Sequence, residues 1–92
     1  MKLESTKWNV YSMNNEGVID SGSDTWNFDK VLFSANSWIG GYSPIEGNVM
    51  AFDAQIQPKT GGAIDSFKIT LITSTRFIAT KGDQIYRFGK KL

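Results

Sequence analysis

The sequence predicts an all-β protein, a small antiparallel up-and-down meander barrel, closed or half-open, with seven or eight short strands. Apolar and polar residues alternate with a period of two along several stretches, which is typical of strands with one buried face. Turn-forming residues recur about every 8–12 residues, as they do in sandwiches and barrels. Because the chain has only 92 residues, we expect a single β-barrel domain over residues 1–92.

The first predicted strand runs from Thr6 to Met13 and reads TKWNVYSM. Its alternation places Trp8 and Val10 on one face, so these two side chains are expected to point inward. The NNEG sequence at residues 14–17 is a turn signal, because Asn and Gly both tolerate a positive φ. A return strand is expected to begin at Val18, which completes a first hairpin.

A second polar cluster, SGSD at residues 21–24, is predicted to form a turn. After it, the stretch TWNFDKVLF at residues 25–33 breaks its alternation at Asp29-Lys30, which favours a turn between two short strands over a bulge. Four apolar side chains of this stretch are expected to point inward: Trp26, Phe28, Val31 and Phe33.

The stretch SWIGGYSPIEG, residues 37–47, combines two aromatic residues with three glycines. Its glycine content predicts a structured loop that caps one end of the barrel, with a short strand at most around Trp38 and Ile39. Since large apolar side chains are costly to expose, we expect the stretch to lie at a ligand-binding or protein-contact surface. The candidate site residues are Trp38, Ile39, Tyr42 and Ile45, with Trp26 beside them.

The second half of the chain contains the clearest strands. Residues 48–57 alternate so that Met50, Phe52, Ala54 and Ile56 share the inward face and Asp53 is solvated. Residues 63–74 form the strongest predicted strand, with Phe67, Ile69 and Leu71 inward and several β-branched residues along it. A further strand at residues 76–80, a turn at KGDQ (residues 81–84) and a last strand at residues 85–88 complete the prediction.

Composition excludes most catalytic chemistries. The chain has no cysteine and no histidine, which removes thiolates, disulfides, the commonest metal ligand and the commonest general base near neutral pH. Its acidic residues form no calcium-loop pattern, and Asp20 and Asp24 are interpreted as turn formers and not as a cation site. We therefore expect no enzyme activity, no catalytic residue, no metal and no cofactor.

Two segments and a short motif resemble small bacterial lipocalin-like domains of the calycin type. They are LESTKWNV near the N-terminus, TWNFD, and FKITLITSTRFIATKGDQIYRFGKKL near the C-terminus. The resemblance implies a meander barrel with Trp8 near its closed end and a basic side chain of the last strand over that Trp, namely Arg87 or, second, Lys90. The physical reason for such a pair is a cation–π contact. The alternative, in which Trp8 is a core residue and Arg87 is solvated, stays open.

Three functional hypotheses remain. The barrel binds a small apolar molecule at a mouth lined by the candidate residues, or it self-associates as a homodimer through them, and its small size favours the second. A single-stranded nucleic-acid-binding barrel is the alternative, based on the KGDQIYRFGKK segment with Arg87 near aromatic residues. A net charge of +1 makes nucleic acid the least expected of these partners. With no apolar leader and no apolar run of about 18–20 residues, we expect a cytoplasmic protein without a membrane partner.

Overall fold

The computed structural model describes residues 3–13 and 19–92, and the side chains of these residues except those at 13, 19–23 and 86. Within these residues, eight antiparallel strands follow one another around a closed barrel. The strands are β1 (Thr6–Met13), β2 (Ile19–Phe28), β3 (Leu32–Ser34), β4 (Trp38–Ile45), β5 (Asn48–Pro58), β6 (Asp65–Thr73), β7 (Arg76–Lys81) and β8 (Gln84–Lys91). The predicted all-β up-and-down meander barrel is confirmed, and β8 pairs with β1 to close it. The predicted NNEG turn and Val18 lie outside the described residues.

The interior of the barrel is filled by its own aromatic side chains. Four of them have no more than 2% of their area exposed, namely Trp8, Trp26, Phe33 and Phe77. The Trp26 and Phe33 rings stack with centroids 4.9 Å apart, and the Trp8 and Phe77 rings tilt against each other at the same distance. Aromatic pairs at this spacing add to the stabilisation that burial alone provides. The residues that alternation in β1, β5 and β6 predicted to point inward are buried or packed against the core, so the inward faces of these strands were predicted correctly.

The predicted turn at SGSD is wrong, because these residues continue β2. The backbone of this stretch is extended, and Ser23 and Asp24 lie opposite Tyr11 and Val10 of β1. Small polar residues that favour turns in isolation adopt extended backbone when a neighbouring strand supplies ladder partners. Tertiary pairing thus overrides the local turn preference here.

The glycine-rich stretch after Trp38 is also a strand, so the predicted capping loop is wrong. β4 pairs with β3 on one side and with β5 on the other, with Gly40 opposite Phe33 and Ile56. A side chain at Gly40 would overlap the Phe33 ring and the Gln55 carbonyl oxygen. The glycine is therefore present because the packed wall leaves no space at this position, and not because the chain turns.

The predicted Asp29-Lys30 turn is confirmed between β2 and β3. Val31, expected to point inward, belongs to this connection and is 59% exposed, whereas Phe33 is buried as predicted. Val31 lies in the connection before β3, outside the strand, so the alternation that turns Phe33 inward does not set the direction of the valine side chain.

The segment before β1 covers one end of the barrel. Leu3 is 1% exposed, and the Ser5 N–H donates to the Phe28 carbonyl at 2.9 Å. The Trp8 indole Nε1 donates to Thr6 Oγ1 at 2.7 Å, and the Thr6 hydroxyl in turn donates to the Leu3 carbonyl. These bonds satisfy the indole N–H of a buried tryptophan and tie the covering segment to the barrel. Across the described residues, the structure contains no helix of the length and apolarity that a membrane span requires.

Candidate functional site

Two of the five candidate site residues lie in the core. Trp26 is 1% exposed and packs against Phe33, and Tyr42 is 9% exposed with its ring against Phe28 and Phe52. Side chains held this way fill the barrel and do not present a binding surface. The prediction that Trp26 and Tyr42 face a ligand or a partner therefore fails, because alternation in β2 and β4 turns both inward.

The other three candidates separate along β4. Trp38 is half-buried against the core cluster at the start of the strand. Ile45 is half-buried at its end, opposite Asn48. Ile39 is the candidate that the structure places on the outer surface, with 40% of its area exposed. The five residues do not form one site.

Ile39 instead belongs to an apolar surface that sequence reasoning missed. We define the outer patch by four exposed aliphatic residues on β3, β4 and the connections beside them, namely Val31, Leu32, Ile39 and Ile64, exposed by 59%, 54%, 40% and 58%. One signal for this patch was present in the sequence. Since Phe33 points inward, its neighbour Leu32 must point outward.

Gly41 lies at the floor of a depression in the outer patch. It faces Leu32 across the β3–β4 pair and Gln55 across the β4–β5 pair. A depression of about 250 Å³ between Leu32, Ile39 and Ile64 reaches Gly41, and an adjoining one of about 600 Å³ extends past Val31. The outer patch therefore consists of raised aliphatic side chains beside bare backbone.

The polar groups of the depressions are neutral near the outer patch and become charged further away. Gln55 and Gln57 flank the apolar side chains, and the adjoining depression includes Ser43, Ser66 and Asp53. Asp53 is exposed on the outer face, opposite Lys68 of β6, as predicted for a solvated carboxylate. A charge-poor centre with a polar periphery is the composition of protein contact surfaces.

Tyr42, on the inner side of β4, is hydrogen-bonded to the connection between β2 and β3. Its hydroxyl donates to the Asp29 carbonyl, and its N–H donates to the Val31 carbonyl at 3.0 Å. Burial raises the pKa of the Tyr42 phenol, and the nearby Glu4 and Asp29 carboxylates raise it further. These bonds hold the Asp29–Val31 connection, and with it one side of the outer patch, in a fixed position.

The register of β1 and β8 separates Arg87 from Trp8. Trp8 lies opposite Lys91, whereas Arg87 lies opposite Ser12 and donates from Nη1 to Ser12 Oγ at 2.6 Å. Trp8 and Ser12 are four residue steps apart along the extended strand, which is about 13 Å. Trp8 is a core residue near the covered end of the barrel, and its cation–π pair with Arg87 stays a prediction. Lys90, the second candidate, has its Nζ 5.9 Å from the ring centroid of Tyr11 instead.

The basic residues of the last hairpin do not share one face. Arg87 hydrogen-bonds to Ser12, and Lys81 forms an ion pair with Asp65 at 3.1 Å. Lys90 lies beside Tyr11 on the outer face. The side chain of Tyr86 lies outside the described residues. Strand alternation thus spreads these cations over both faces of the barrel, whereas single-strand binding needs one continuous basic and aromatic groove.

Among the described side chains, no three Asp, Glu, His or Cys residues come together in an arrangement that could hold a metal ion. The side chain of Asp20, half of the considered Asp20–Asp24 pair, lies outside the described residues. The Asp24 carboxylate accepts a hydrogen bond from the Asn36 N–H at 3.1 Å. This bond joins residues twelve positions apart, and both Asp20 and Asp24 lie in β2, so their interpretation as turn formers is wrong.

Comparison with protein-family models, with curated proteins and with solved structures finds no match for this chain. The fold and the surface geometry are therefore the basis for any functional conclusion.

Proposed function

We propose that this protein is a non-enzymatic interaction module that self-associates through the outer patch on β3 and β4. The observation that carries the proposal is the grouping of Val31, Leu32, Ile39 and Ile64 around two adjoining depressions on one outer wall of the barrel. Contiguous exposed apolar surface of this kind marks contact sites, because covering it removes apolar area from water.

Two further observations support self-association over a small apolar ligand. The interior, where a ligand-binding barrel holds its cargo, is occupied by tightly packed rings such as Trp26 and Phe33. The net charge of +1 also lets two copies approach without strong mutual repulsion.

The proposal includes a lipocalin-like architecture. The supporting features are the closed eight-strand meander and the N-terminal segment that crosses its end beside the buried Trp8. In this proposal the protein keeps the barrel of such domains, fills the interior with aromatic side chains and uses the outer wall for contact.

The test is the solution mass by light scattering across a concentration series, for wild type, Ile39→Ser and Ile85→Ser. Ile85→Ser is the matched control for Ile39→Ser, because both residues are isoleucines with similar exposure, 43% and 40%. Ile85 lies on β8, on the opposite side of the barrel from Ile39 on β4. We expect wild type and Ile85→Ser to dimerise alike and Ile39→Ser to dimerise at least about tenfold more weakly. A wild type that stays monomeric up to millimolar concentration contradicts the proposal, and so does equal weakening by both substitutions.

A further inference from the structure

Gly41 is a glycine for which the fold of its own chain shows no need. A Cβ at this position would lie 3.5 Å from the Val31 carbonyl oxygen and 3.7 Å from Leu32 Cδ2, which are ordinary contacts. Its φ is not in the left-handed region either, since the positive-φ glycines of the described chain are Gly47, Gly61, Gly62 and Gly82. A Cβ would therefore fit at position 41 without overlap.

Apart from Gly41, the glycines whose surroundings the structure describes have a structural reason, and Gly22 in β2 is not among them because the side-chain environment there is not described. Gly40 and Gly89 lie against the Phe33 and Phe77 rings, which a Cβ would overlap. The remaining four have the positive φ values noted above. Glycine within a strand also weakens it, because it adds conformational freedom to the unfolded chain and packs no side chain. Gly41 is half-buried in mid-strand on the outer face, and the register shows no bulge at this position, which leaves a bend of the barrel wall or close approach from outside as the roles of a strand glycine here.

We infer that Gly41 is the receiving position of a two-fold contact, in which the Leu32 side chain of each copy lies over Gly41 of the other. This inference rests on the proposed self-association and adds the residue pair that sets its geometry. The partner is a second copy of this chain, because the outer patch carries both the protruding Leu32 side chain and, directly beside it, the depression that reaches Gly41.

The register makes this arrangement geometrically possible. Leu32 and Gly41 are direct cross-strand partners, so they lie one strand spacing apart, about 4.8 Å, on the same outer face. A two-fold axis that lies in the interface and runs along the strands between β3 and β4 exchanges these two positions. Each leucine then meets a glycine, and the same patch serves both copies, as in isologous dimers.

The same pairing also gives each of the two residues a role in the contact. A large residue at position 41 would meet the other copy's Leu32, and overpacking of that kind opposes association. A small residue at position 32 would leave a void over Gly41 and lose the contacts of the leucine. The pair therefore determines which surface fits the outer patch.

The experiment uses two single variants and their mixture, each followed by light scattering. Gly41→Val should weaken dimerisation by about tenfold or more. The same variant should keep or raise the melting temperature, by up to about 8 °C, because valine suits an exposed strand position better than glycine. Leu32→Ala alone should also weaken dimerisation. Ile85→Ser remains the control for a general effect of surface substitution.

The mixture is the decisive part. In a heterodimer of Gly41→Val with Leu32→Ala, one of the two contacts places Leu32 over Gly41 as in wild type. The other contact places the introduced alanine over the introduced valine, so the summed side-chain volume is conserved. We expect a 1:1 mixture to show the mass of a dimer at concentrations where each variant alone is a monomer. A mixture that stays monomeric, or a Gly41→Val variant that associates like wild type, overturns the inference.

This failure differs from failure of the proposed function. If wild type self-associates and Ile39→Ser weakens it while Gly41→Val does not, the outer patch is the contact surface and the Leu32–Gly41 pairing alone is wrong. If wild type is monomeric throughout, both conclusions fail.

Discussion

Gly40 and Gly41 are adjacent in β4 and lie on opposite faces of the barrel wall, where their surroundings differ. On the inner face, the Phe33 ring occupies the space that a side chain at Gly40 would need. On the outer face, a Cβ at Gly41 would make only ordinary contacts with the Val31 carbonyl oxygen and Leu32. At position 40, packing within the chain requires a glycine. At position 41 it does not, and we infer that the glycine there serves a contact with a second copy.

The comparison extends to β3, where Leu32 and Phe33 are the respective cross-strand partners of Gly41 and Gly40. Phe33 is 2% exposed, whereas Leu32 is 54% exposed. Inner residues should therefore determine stability and outer residues association. Three substitutions test how sharp that division is, in order of expected effect.

The largest expected effect is that of Phe33→Ala. Removing a buried phenylalanine from an aromatic cluster loses its burial and leaves a cavity, so the free energy of unfolding should fall by about 4 kcal/mol. Urea unfolding followed by tryptophan fluorescence measures this loss, and Leu32→Ala is the matched control on the outer face. The control should change stability by less than about 0.5 kcal/mol. Equal losses in the two variants would remove the distinction between the faces.

Gly40→Ala should come next, with a loss of about 2–3 kcal/mol. The added methyl group meets the Phe33 ring, which can shift, and also the Gln55 carbonyl oxygen, which belongs to the backbone of β5 and cannot. Equilibrium urea unfolding again provides the measurement, with Gly41→Ala as control. That control should be neutral or slightly stabilising, and a destabilised Gly41→Ala would show that the outer glycine has a structural role after all.

The smallest of the three effects is that of Tyr42→Phe, which removes the hydrogen bond to the Asp29 carbonyl. Near neutral pH the free energy of unfolding should fall by about 1 kcal/mol. The pKa of Tyr42 is raised in the folded state, so its stabilising contribution is complete below the ordinary tyrosine value of 10.0. It is lost as the pH rises through the higher folded-state pKa.

A pH series distinguishes this effect from simple loss of a contact. Wild type should lose stability above about pH 10, and Tyr42→Phe should show a smaller fall. An unchanged alkaline profile in Tyr42→Phe would mean that other groups cause it.

The strands that sequence analysis placed correctly are those with uninterrupted alternation. In β1, β5 and β6, inward residues such as Trp8, Phe52 and Ile69 alternate with polar ones, so both strand and face were predicted. The lengths of β2 and β4 were underestimated, because Ser, Gly and Asp favour turns locally. Only pairing with neighbouring strands makes extended backbone the better state for them.

The candidate site was predicted less well than the fold. Of the residues proposed from the sequence, Ile39 lies on the outer patch, while Trp26 and Tyr42 are in the core. For Tyr42 the cause is that a strand interpreted as a loop has no defined inner and outer face, whereas Trp26 was already expected to point inward and should not have been assigned to a surface. Without the register of β4, aromatic content alone cannot distinguish a binding surface from barrel filling.

By itself, the sequence determined the all-β class, the meander order of the strands and the exclusion of histidine and cysteine chemistry. These follow from local periodicity, turn residues and composition, which need no knowledge of long-range contacts. Only the tertiary structure decided that the barrel is closed, that Phe33 lies on Gly40, and that Leu32 and Gly41 meet side by side on the outside. Such features depend on which strands pair and in which register, and a shift of one residue would exchange every inner side chain for an outer one.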